Sequence, residues 1–387
     1  MTTLTVTLPQ PANDMVQEEI LKQIAHISRE VRVIGFRADQ ATVDCEFSGD
    51  SSASATVQAE IERVARKIQR SLRRLDRKLI YRSAAGWDRD VQPINNAGIW
   101  PSGVGQVQLS GPALAAVRAL SAMLDDFMAP WHARPIQTPT LIPANVLARC
   151  DYFRSFPQYV SFVSHLHEEF QTIDGFRSRH QDRDTLDDAT RGDLDIPDVC
   201  LSPAVCYHMY HRHAGEKLPA TGTVYDVVGR CFRYESTNLS DLRRLWEFTM
   251  RELVFVGERD WVLGERQRAI DAFIPIADSL GLPVEIRTAS DPFFVAPDAN
   301  AKTYFQLSSE TKYEISAEIG SGDRLAVGSF NYHTDFFGKA FATEAGESGS
   351  AHSVCVAFGL ERLAHAVLVH YGTAVTSWPE LLRRHIG

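Results

Sequence analysis

Residues 354–363, VCVAFGLERL, carry the pattern that most strongly indicates the fold of this chain. Its apolar residues predict a buried strand, which turns at Gly359 into a helix. The first turn of that helix presents Glu361 and Arg362. The pattern is therefore an apolar strand that brings two charged side chains to the start of a helix.

Two further stretches lie upstream, GRCFRYES (229–236) and RLWEFTMRE (244–252). We predict a strand carrying Arg-x-Glu, a polar loop from Ser236 to Asp241, and a second, paired strand. Alternate residues of a strand share a face, so Arg233 and Glu235 project together, as do Phe248 and Glu252. An arginine in that position can bind a phosphate or a carboxylate through two hydrogen bonds. Taken alone, the same pattern is also typical of a surface ion pair on a hairpin.

Together these stretches resemble the signature motifs of class II aminoacyl-tRNA synthetases. Residues 354–363 resemble the third motif, and FRxE is the core of the second. A helix predicted over residues 112–128, followed by a strand that contains Pro139, resembles the first. The resemblance implies an α+β domain, with an antiparallel sheet flanked by helices, that activates a carboxylic acid with ATP.

The resemblance sharpens to seryl-tRNA synthetases and covers residues 111–387. It is carried by LSPAVC (201–206), RLWEFTMRE (244–252), KYE (312–314) and SFNYHTDF (329–336). These stretches resemble the synthetase segments LIPTAE, RVHQFEKVE, KYDLE and SCSNCTDFQ. The longer run SFNYHTDFFGKAF is more similar to the amino acid:[carrier protein] ligases, bacterial homologues of these synthetases. The sequence is therefore identified as a member of that ligase family.

Cys206 and Cys355 depart from the bacterial synthetase pattern, which has glutamate and glycine at these positions. With Glu252 they form a Cys/Glu/Cys set that we place on three strands. Thiolate and carboxylate ligands suit zinc, and three protein ligands leave a fourth position open for an amino group. Each cysteine alone is equally typical of a small buried apolar side chain. By resemblance to methanogen-type seryl-tRNA synthetases and the ligases, the three residues hold one zinc ion per chain.

The resemblance also implies roles at the nucleotide. The amino acid carboxylate attacks the α-phosphorus of ATP, pyrophosphate leaves, and an aminoacyl-adenylate forms. Arg233 and Arg362 are the implied catalytic residues, the first at the α-phosphate and the second by the γ-phosphate. Glu235 is expected to accept from the adenine amino group and Phe248 to stack on the ring. Glu314 completes the predicted ATP-binding set.

Magnesium is expected with ATP, but its ligands remain open. The metal-binding glutamate of the family falls on Leu325 here, which leaves Glu314 and Glu318 as alternatives. Asn331 and Asp335 are predicted to line the amino acid pocket, or else to cap a strand end. Because a metal-bound amine must be neutral, we expect amino acid binding to weaken at low pH.

The chain divides into three predicted parts. Residues 1–83 predict a small N-terminal α/β domain whose order βαββαβ suits a ferredoxin-like sandwich. Residues 84–110, rich in Gly, Pro and Asn, predict a linker, and residues 111–387 form the synthetase-like catalytic domain. Within that domain, residues 172–198 are charged and predict a loop. The first part lacks sustained heptads, so the coiled-coil arm with which bacterial seryl-tRNA synthetases bind tRNA is expected to be absent.

Amino-acid composition limits the kinds of partner that the protein is expected to bind. The 387 residues carry a net charge of -9, which argues against a large nucleic-acid surface. One basic stretch, residues 63–82, is an exception, although a solvated helix face explains it as well. No run of 18 apolar residues and no secretory signal is evident, so we predict a cytoplasmic protein without a membrane span. The six cysteines are dispersed, and disulfides are not expected.

The leading hypothesis is an enzyme that activates a small amino acid, such as glycine or alanine, and transfers it to the phosphopantetheine thiol of an acidic carrier protein. A helix predicted over residues 258–280 presents Arg259, Arg266 and Arg268, which either dock the carrier or are simply solvated. A homodimer is expected because the first motif is usually an interface element.

Two alternatives stay open. One is a zinc-dependent seryl-tRNA synthetase that charges tRNA, since methanogen-type enzymes also carry a mixed N-terminal domain. The other is a catalytically inactive paralogue with a regulatory binding role. The inactive paralogue predicts loss of Arg233, Arg362 or the cysteine pair, and all of these residues are present.

Overall fold

A computed structural model describes residues 2–72, 77–88, 90–235, 239, 241–289, 310–320, 322–347 and 349–386. The strands, in chain order, are β1 (Thr2–Thr7), β2 (Val31–Phe36), β3 (Thr42–Phe47), β4 (Leu79–Arg82), β5 (Ile99–Gly103), β6 (Gln106–Leu109), β7 (Arg134–Gln137), β8 (Leu141–Pro143), β9 (Phe162–Val163), β10 (Val199–Leu201), β11 (Lys217–Leu218), β12 (Thr223–Phe232), β13 (Glu247–Gly257), β14 (Val284–Thr288), β15 (Lys312–Glu318), β16 (Arg324–Tyr332), β17 (Glu344–Ala345) and β18 (His352–Gly359).

The helices, in chain order, are α1 (Asp14–Ile24), α2 (Ser54–Leu72), α3 (Gly111–Met128), α4 (Ala144–Arg149), α5 (Tyr152–Ser155), α6 (Phe170–His180), α7 (Thr190–Asp193), α8 (Cys206–Arg212), α9 (Arg259–Leu280), α10 (Phe336–Phe341), α11 (Leu360–Tyr371) and α12 (Glu380–Arg383). The chain forms two compact units, residues 1–82 with 285–314, and residues 83–284 with 315–387.

The first unit has the predicted order βαββαβ. Its sheet has the strand order β1-β3-β2, and both pairings are antiparallel. Apolar side chains of α1 and α2, including Ile20, Ile24, Ile61 and Ile68, pack with those of the strands into one core. The side chain of Asn13 caps α1 by accepting a hydrogen bond from the backbone N–H of Val16.

The fourth strand of this unit departs from a ferredoxin-like sandwich. Instead of joining the three-stranded sheet, β4 pairs antiparallel with β14, with Arg82 opposite Glu285. Lys78 extends this pairing, since its backbone N–H donates to Thr288 Oγ1 at 2.7 Å. The small sheet therefore has three strands, and the ferredoxin-like expectation holds only for the element order.

The second unit contains the antiparallel sheet that the motifs predict. Its strands lie in the order β15-β16-β18-β13-β12-β7. The pairings of β12 with β13, β13 with β18, and β16 with β18 are antiparallel, whereas β7 joins β12 in parallel. The mixed sheet with flanking helices confirms the predicted fold class.

Helices α3 and α9 cover one face of this sheet. Phe127 of α3 and Phe273 of α9 both make ring contacts with Phe358 of β18, and Phe273 also contacts Phe330 of β16. Because side chains alternate along a strand, residues next to Phe358 and Phe330 in sequence point to the opposite face. That opposite face carries the candidate site.

Several local expectations need correction. In place of the single strand predicted to contain Pro139, there are two strands, β7 and β8, and Pro139 lies between them. The predicted loop over residues 172–198 contains most of helix α6, on which no side chain is buried, and all of α7. Residues 84–110 contain the hairpin β5–β6. None of the described helices is long and apolar enough to cross a membrane.

Candidate active site

Strand register brings two of the predicted metal ligands together. Cys355 of β18 lies opposite Val254 of β13, and Glu252 is two residues along β13 from that position. On its other side, Cys355 lies opposite Asn331 of β16. Directly paired residues and those two positions away share a face of the sheet. Glu252, Cys355 and Asn331 therefore project from the same face.

Cys206 reaches this face from outside the sheet. It is the first residue of helix α8, so the expectation that all three ligands lie on strands is wrong for Cys206. The preceding turn is held by two hydrogen bonds, from Phe232 N–H to the carbonyl of Ser202 at 2.9 Å and from Ser202 Oγ to the carbonyl of Ala204 at 3.0 Å. The turn fixes the start of α8 against the end of β12.

The three side chains form one buried group. The ligand atoms of Cys206, Glu252 and Cys355 all lie within 4.8 Å of one another. The residues are only 5%, 2% and 3% exposed, and Glu252 Oε2 has no hydrogen-bond partner among the described residues. A buried carboxylate oxygen without a partner is costly. Two sulfurs and one carboxylate oxygen at this spacing form a donor set that fits a zinc ion.

The electrostatics of the group also favour a cation. Burial raises the pKa of the Glu252 carboxyl, and the neighbouring Cys355 adds to the effect. A hydrogen bond with Cys355 together with burial raises the pKa of Cys206. The same hydrogen bond lowers the pKa of Cys355. Cys355 thus ionises at the expense of Cys206 and Glu252, and a bound cation would let all three carry their charge.

Two further polar side chains contact Cys355. Asn331 Nδ2 donates to the sulfur at 3.3 Å, and its Oδ1 is buried without a partner among the described residues. His333 Nε2 lies 3.7 Å from the same sulfur. His333 follows directly after β16 and was not among the predicted site residues. Its only sequence signal is its place within the run SFNYHTDFF, two residues after Asn331.

The predicted nucleotide residues begin where β12 ends. The strand stops at Phe232, so Arg233 and Glu235 follow it rather than lying on it. The guanidinium carbon of Arg233 sits 5.4 Å from the centre of the Phe248 ring. Arg233 Nε donates to the carbonyl of Pro203 at 3.0 Å. The arginine thus contacts both the predicted adenine platform and the turn that carries Cys206.

Glu235 has an internal partner in this structure. It is buried, and Arg244 Nη1 donates to its Oε2 at 2.6 Å. The predicted polar loop from Ser236 to Asp241 lies mostly outside the described residues, with positions 239 and 241 as the exceptions.

The third-motif stretch fastens helix α11 to the sheet. Glu361 is buried and accepts hydrogen bonds from the backbone N–H and the hydroxyl of Thr249, each at 2.8 Å. Arg362 donates to two backbone carbonyls, those of Arg243 at 2.8 Å and Ala326 at 3.1 Å. Glu361 therefore attaches the start of α11 to β13. Arg362 links α11 to β16 through Ala326 and to the residues after the polar loop through Arg243.

The remaining predicted residues are placed as follows. Asp335 precedes α10 without making a side-chain cap, and Lys339 Nζ lies 2.7 Å from its carboxylate. Glu318 is buried and accepts from the backbone N–H of Asp88 through both oxygens. Glu314 belongs to the first unit, where it interacts electrostatically with Arg77. The roles predicted for these carboxylates stay predictions.

Two curated relatives decide the family. Amino acid–[acyl-carrier-protein] ligase 2 of Bradyrhizobium diazoefficiens is 38% identical over 252 residues, which cover 64% of this chain and 73% of the relative. Ligase 1 of the same organism is 35% identical over 254 residues, 65% of this chain and 76% of the relative. The chain belongs to the amino acid–[acyl-carrier-protein] ligase family. It is therefore an adenylate-forming ligase, as the motifs predicted, although no protein-family model matches the sequence.

More distant relatives of this ligase share its fold. A type-2 serine–tRNA ligase of Methanopyrus kandleri is 25% identical over 289 residues, 69% of this chain and 54% of that protein. Among solved structures, a complex of A. aeolicus tRNASec with M. kandleri SerRS aligns with a TM-score of 0.69 and 18% identity, covering 99% of this chain and 76% of that chain. Seryl-tRNA synthetase from Pyrococcus horikoshii complexed with ATP aligns with a TM-score of 0.58 and 15% identity, covering 87% of this chain and 80% of that chain. The class II synthetase fold is confirmed.

Proposed function

We propose that this ligase activates a small amino acid, glycine or alanine, as its adenylate and passes the aminoacyl group to the phosphopantetheine thiol of a carrier protein. The observation that carries the proposal is the buried Cys206–Glu252–Cys355 group with its unpartnered carboxylate oxygen. Family membership supports the reaction class, since the relatives are named for an amino acid and a carrier protein.

The amine end of the substrate belongs at this group. Cys206, Glu252 and Cys355 are the residues that would hold one zinc ion, which when bound offers a Lewis-acidic position for a neutral amino group. Buried aromatic side chains lie beside this group. Tyr210, which is buried and stacked on Phe337 at 4.0 Å, interacts electrostatically with all three ligand residues. The position of these buried rings beside the ligand group supports a substrate with a short side chain.

The carboxylate end of the substrate would point towards Arg233. A carboxylate oxygen attacks the α-phosphorus of ATP, a new oxygen–phosphorus bond forms, and the bond to pyrophosphate breaks. Negative charge grows on the phosphoryl oxygens, so a preorganised guanidinium is the group required there. Arg233 is held in place by Pro203 and Phe248 before any ligand arrives. Arg362 would neutralise the leaving pyrophosphate, and magnesium would accompany the nucleotide.

The second half of the reaction is attack of a thiol on the adenylate carbonyl, which forms a thioester and releases AMP. A carrier protein rather than tRNA is the proposed acceptor because the relatives that are 38% and 35% identical are named for an acyl-carrier protein. The match to type-2 serine–tRNA ligases keeps transfer of serine to tRNA as the second candidate.

The test is ATP–pyrophosphate exchange with each of the twenty amino acids, together with metal analysis of the same preparation. We expect about one zinc per chain, as for a single three-ligand site, and exchange confined to glycine or alanine. The activated amino acid is then offered to a phosphopantetheinylated carrier protein and to bulk tRNA. Exchange driven by serine with charging of tRNA would favour the second candidate, and no exchange with any amino acid would refute both.

A further inference from the structure

A half-buried histidine next to the metal-ligand group, His333, has no role in the proposed reaction. His333 is tied by its backbone to β18, because its N–H donates to the carbonyl of Ser353 at 2.9 Å. Ser353 and Cys355 lie two residues apart on that strand and share a face. The imidazole therefore reaches along the face towards Cys355, with Nε2 at 3.7 Å from the sulfur.

The other nitrogen of the ring is surrounded by hydroxyl groups. His333 Nδ1 lies 3.2 Å from the hydroxyl of Tyr210 and 3.1 Å from that of Ser353. Both hydroxyls can donate a hydrogen bond, whereas a thiolate sulfur can only accept one. When Nδ1 accepts from one of the two hydroxyls, the imidazole proton lies on Nε2, directed at Cys355.

We propose that His333 is a positioning residue for Cys355, and that its Nε2–H donates to the sulfur when the thiolate binds a metal ion. The inference rests on the proposed function, because it assigns a second neighbour to the ligand group. Residues that form hydrogen bonds with a metal ligand fix the orientation of that ligand and tune its donor strength. With Asn331 Nδ2 at 3.3 Å, His333 would give one sulfur two donors.

These hydrogen bonds would make the two sulfurs unequal in the charge that they donate to the metal. Hydrogen bonds withdraw electron density from a thiolate, so Cys355 would donate less charge to the metal than an unshielded sulfur. The bound metal then remains a stronger Lewis acid for the substrate amine. His333 would thereby set how tightly the substrate amine is held without touching the substrate.

The experiment compares wild type with His333→Leu, His333→Gln and the double variant Tyr210→Phe/Ser353→Ala, each loaded with cobalt(II) or zinc. Leucine removes the N–H, glutamine can place an N–H at the same position, and the double variant removes both hydroxyl partners of Nδ1. We expect His333→Leu to move the thiolate-to-cobalt absorption band to longer wavelength, because the sulfur becomes a stronger donor. Zinc affinity in chelator competition should fall by about 10- to 100-fold, because the loss of ligand orientation outweighs the stronger donation. His333→Gln is expected to remain near wild type, and the double variant to shift the band in the same direction as leucine.

A matched control is His352→Leu, which removes a second half-buried histidine, located on β18, whose Nδ1 lies 2.7 Å from the hydroxyl of Tyr332. The thiolate-to-cobalt absorption band and the zinc affinity of this variant should be unchanged. An unmoved band and wild-type zinc affinity in His333→Leu, or equal loss in the glutamine and leucine variants, would overturn the role of the N–H. If the leucine variant does not fold, an unmoved band in the double variant overturns it instead. A wild-type protein that binds neither ion refutes the metal site itself.

Discussion

The two ends of the candidate site differ in how their polar groups are satisfied. At the amine end, Glu252 Oε2 and Asn331 Oδ1 are buried acceptors without a partner among the described residues. At the nucleotide end, the partners are internal, since Arg244 pairs with Glu235 and backbone carbonyls bind Arg233 and Arg362. Under the proposed function, a cation would satisfy the acceptors of the first end, whereas ligands would replace protein contacts at the second. The proposal therefore assigns a lasting occupant to the amine end and an exchanging one to the nucleotide end.

The largest effect is expected from breaking the amine end. Cys206→Ala or Cys355→Ala removes a ligand from a group of three, so zinc content should fall from about one per chain to near zero. Loss of the Lewis acid costs several kcal/mol, which corresponds to about a thousandfold or more in ATP–pyrophosphate exchange. Metal analysis and exchange on the same sample measure both.

The matched control for these variants is Cys200→Ala. Cys200 is fully buried on β10 and lies outside the ligand group. It should keep its zinc and most of its activity. Full exchange activity in a zinc-free Cys206→Ala protein would contradict the proposed division of the site.

The second effect tests whether the nucleotide end acts separately. Arg233→Ala removes the guanidinium proposed to stabilise the α-phosphate, and loss of one such donor typically costs about 100- to 1,000-fold in kcat. Arg233→Lys keeps the charge but not the forked geometry, so it should recover little. Zinc content should stay at the wild-type level in both.

Arg32→Ala serves as the control for arginine loss, because its side chain is 82% exposed in the N-terminal unit. It should leave kcat unchanged. If Arg233→Ala also lost its zinc, the two ends would form one cooperative structure and would not act separately.

The third effect is a pH dependence confined to the amine end. Only the neutral amine binds a metal, so below the pKa of the substrate amine each unit of pH lowers the binding species about tenfold. The KM for the amino acid should therefore rise as pH falls from 8 to 7, while the KM for ATP changes little. Initial rates of exchange at several pH values measure both constants, and parallel changes in the two would argue against metal binding of the amine.

The smallest effect concerns adenine recognition. Glu235→Gln removes the charge that Arg244 now pairs with and weakens the acceptor proposed for the adenine amino group. We expect the preference for ATP over GTP in exchange to fall by about tenfold or less, in line with one hydrogen bond to a charged group. An unchanged preference would remove Glu235 from the nucleotide site and leave it as the partner of Arg244.

The sequence predicted the fold class and family because short motifs recur at fixed positions of strands and helices. It could not show that Cys206 begins a helix, since the short apolar run LSPAVC is equally compatible with a strand. His333 was missed for a different reason. Its contact with Cys355 depends on the register of β16 against β18, which local patterns do not specify. The pairing of Arg244 with Glu235 across the polar loop was equally invisible.

The pairing of β4 with β14 has a consequence for synthesis of the chain. The core of the first unit is built from residues 4–72 and can form early. Lys78 must wait for Thr288, which follows it by 210 residues. At about 5 to 20 residues per second, the ribosome needs roughly 10 to 40 seconds to deliver that partner. During this interval β4 is an open edge that invites wrong pairing. A gene fragment ending at residue 83 would keep that edge permanently.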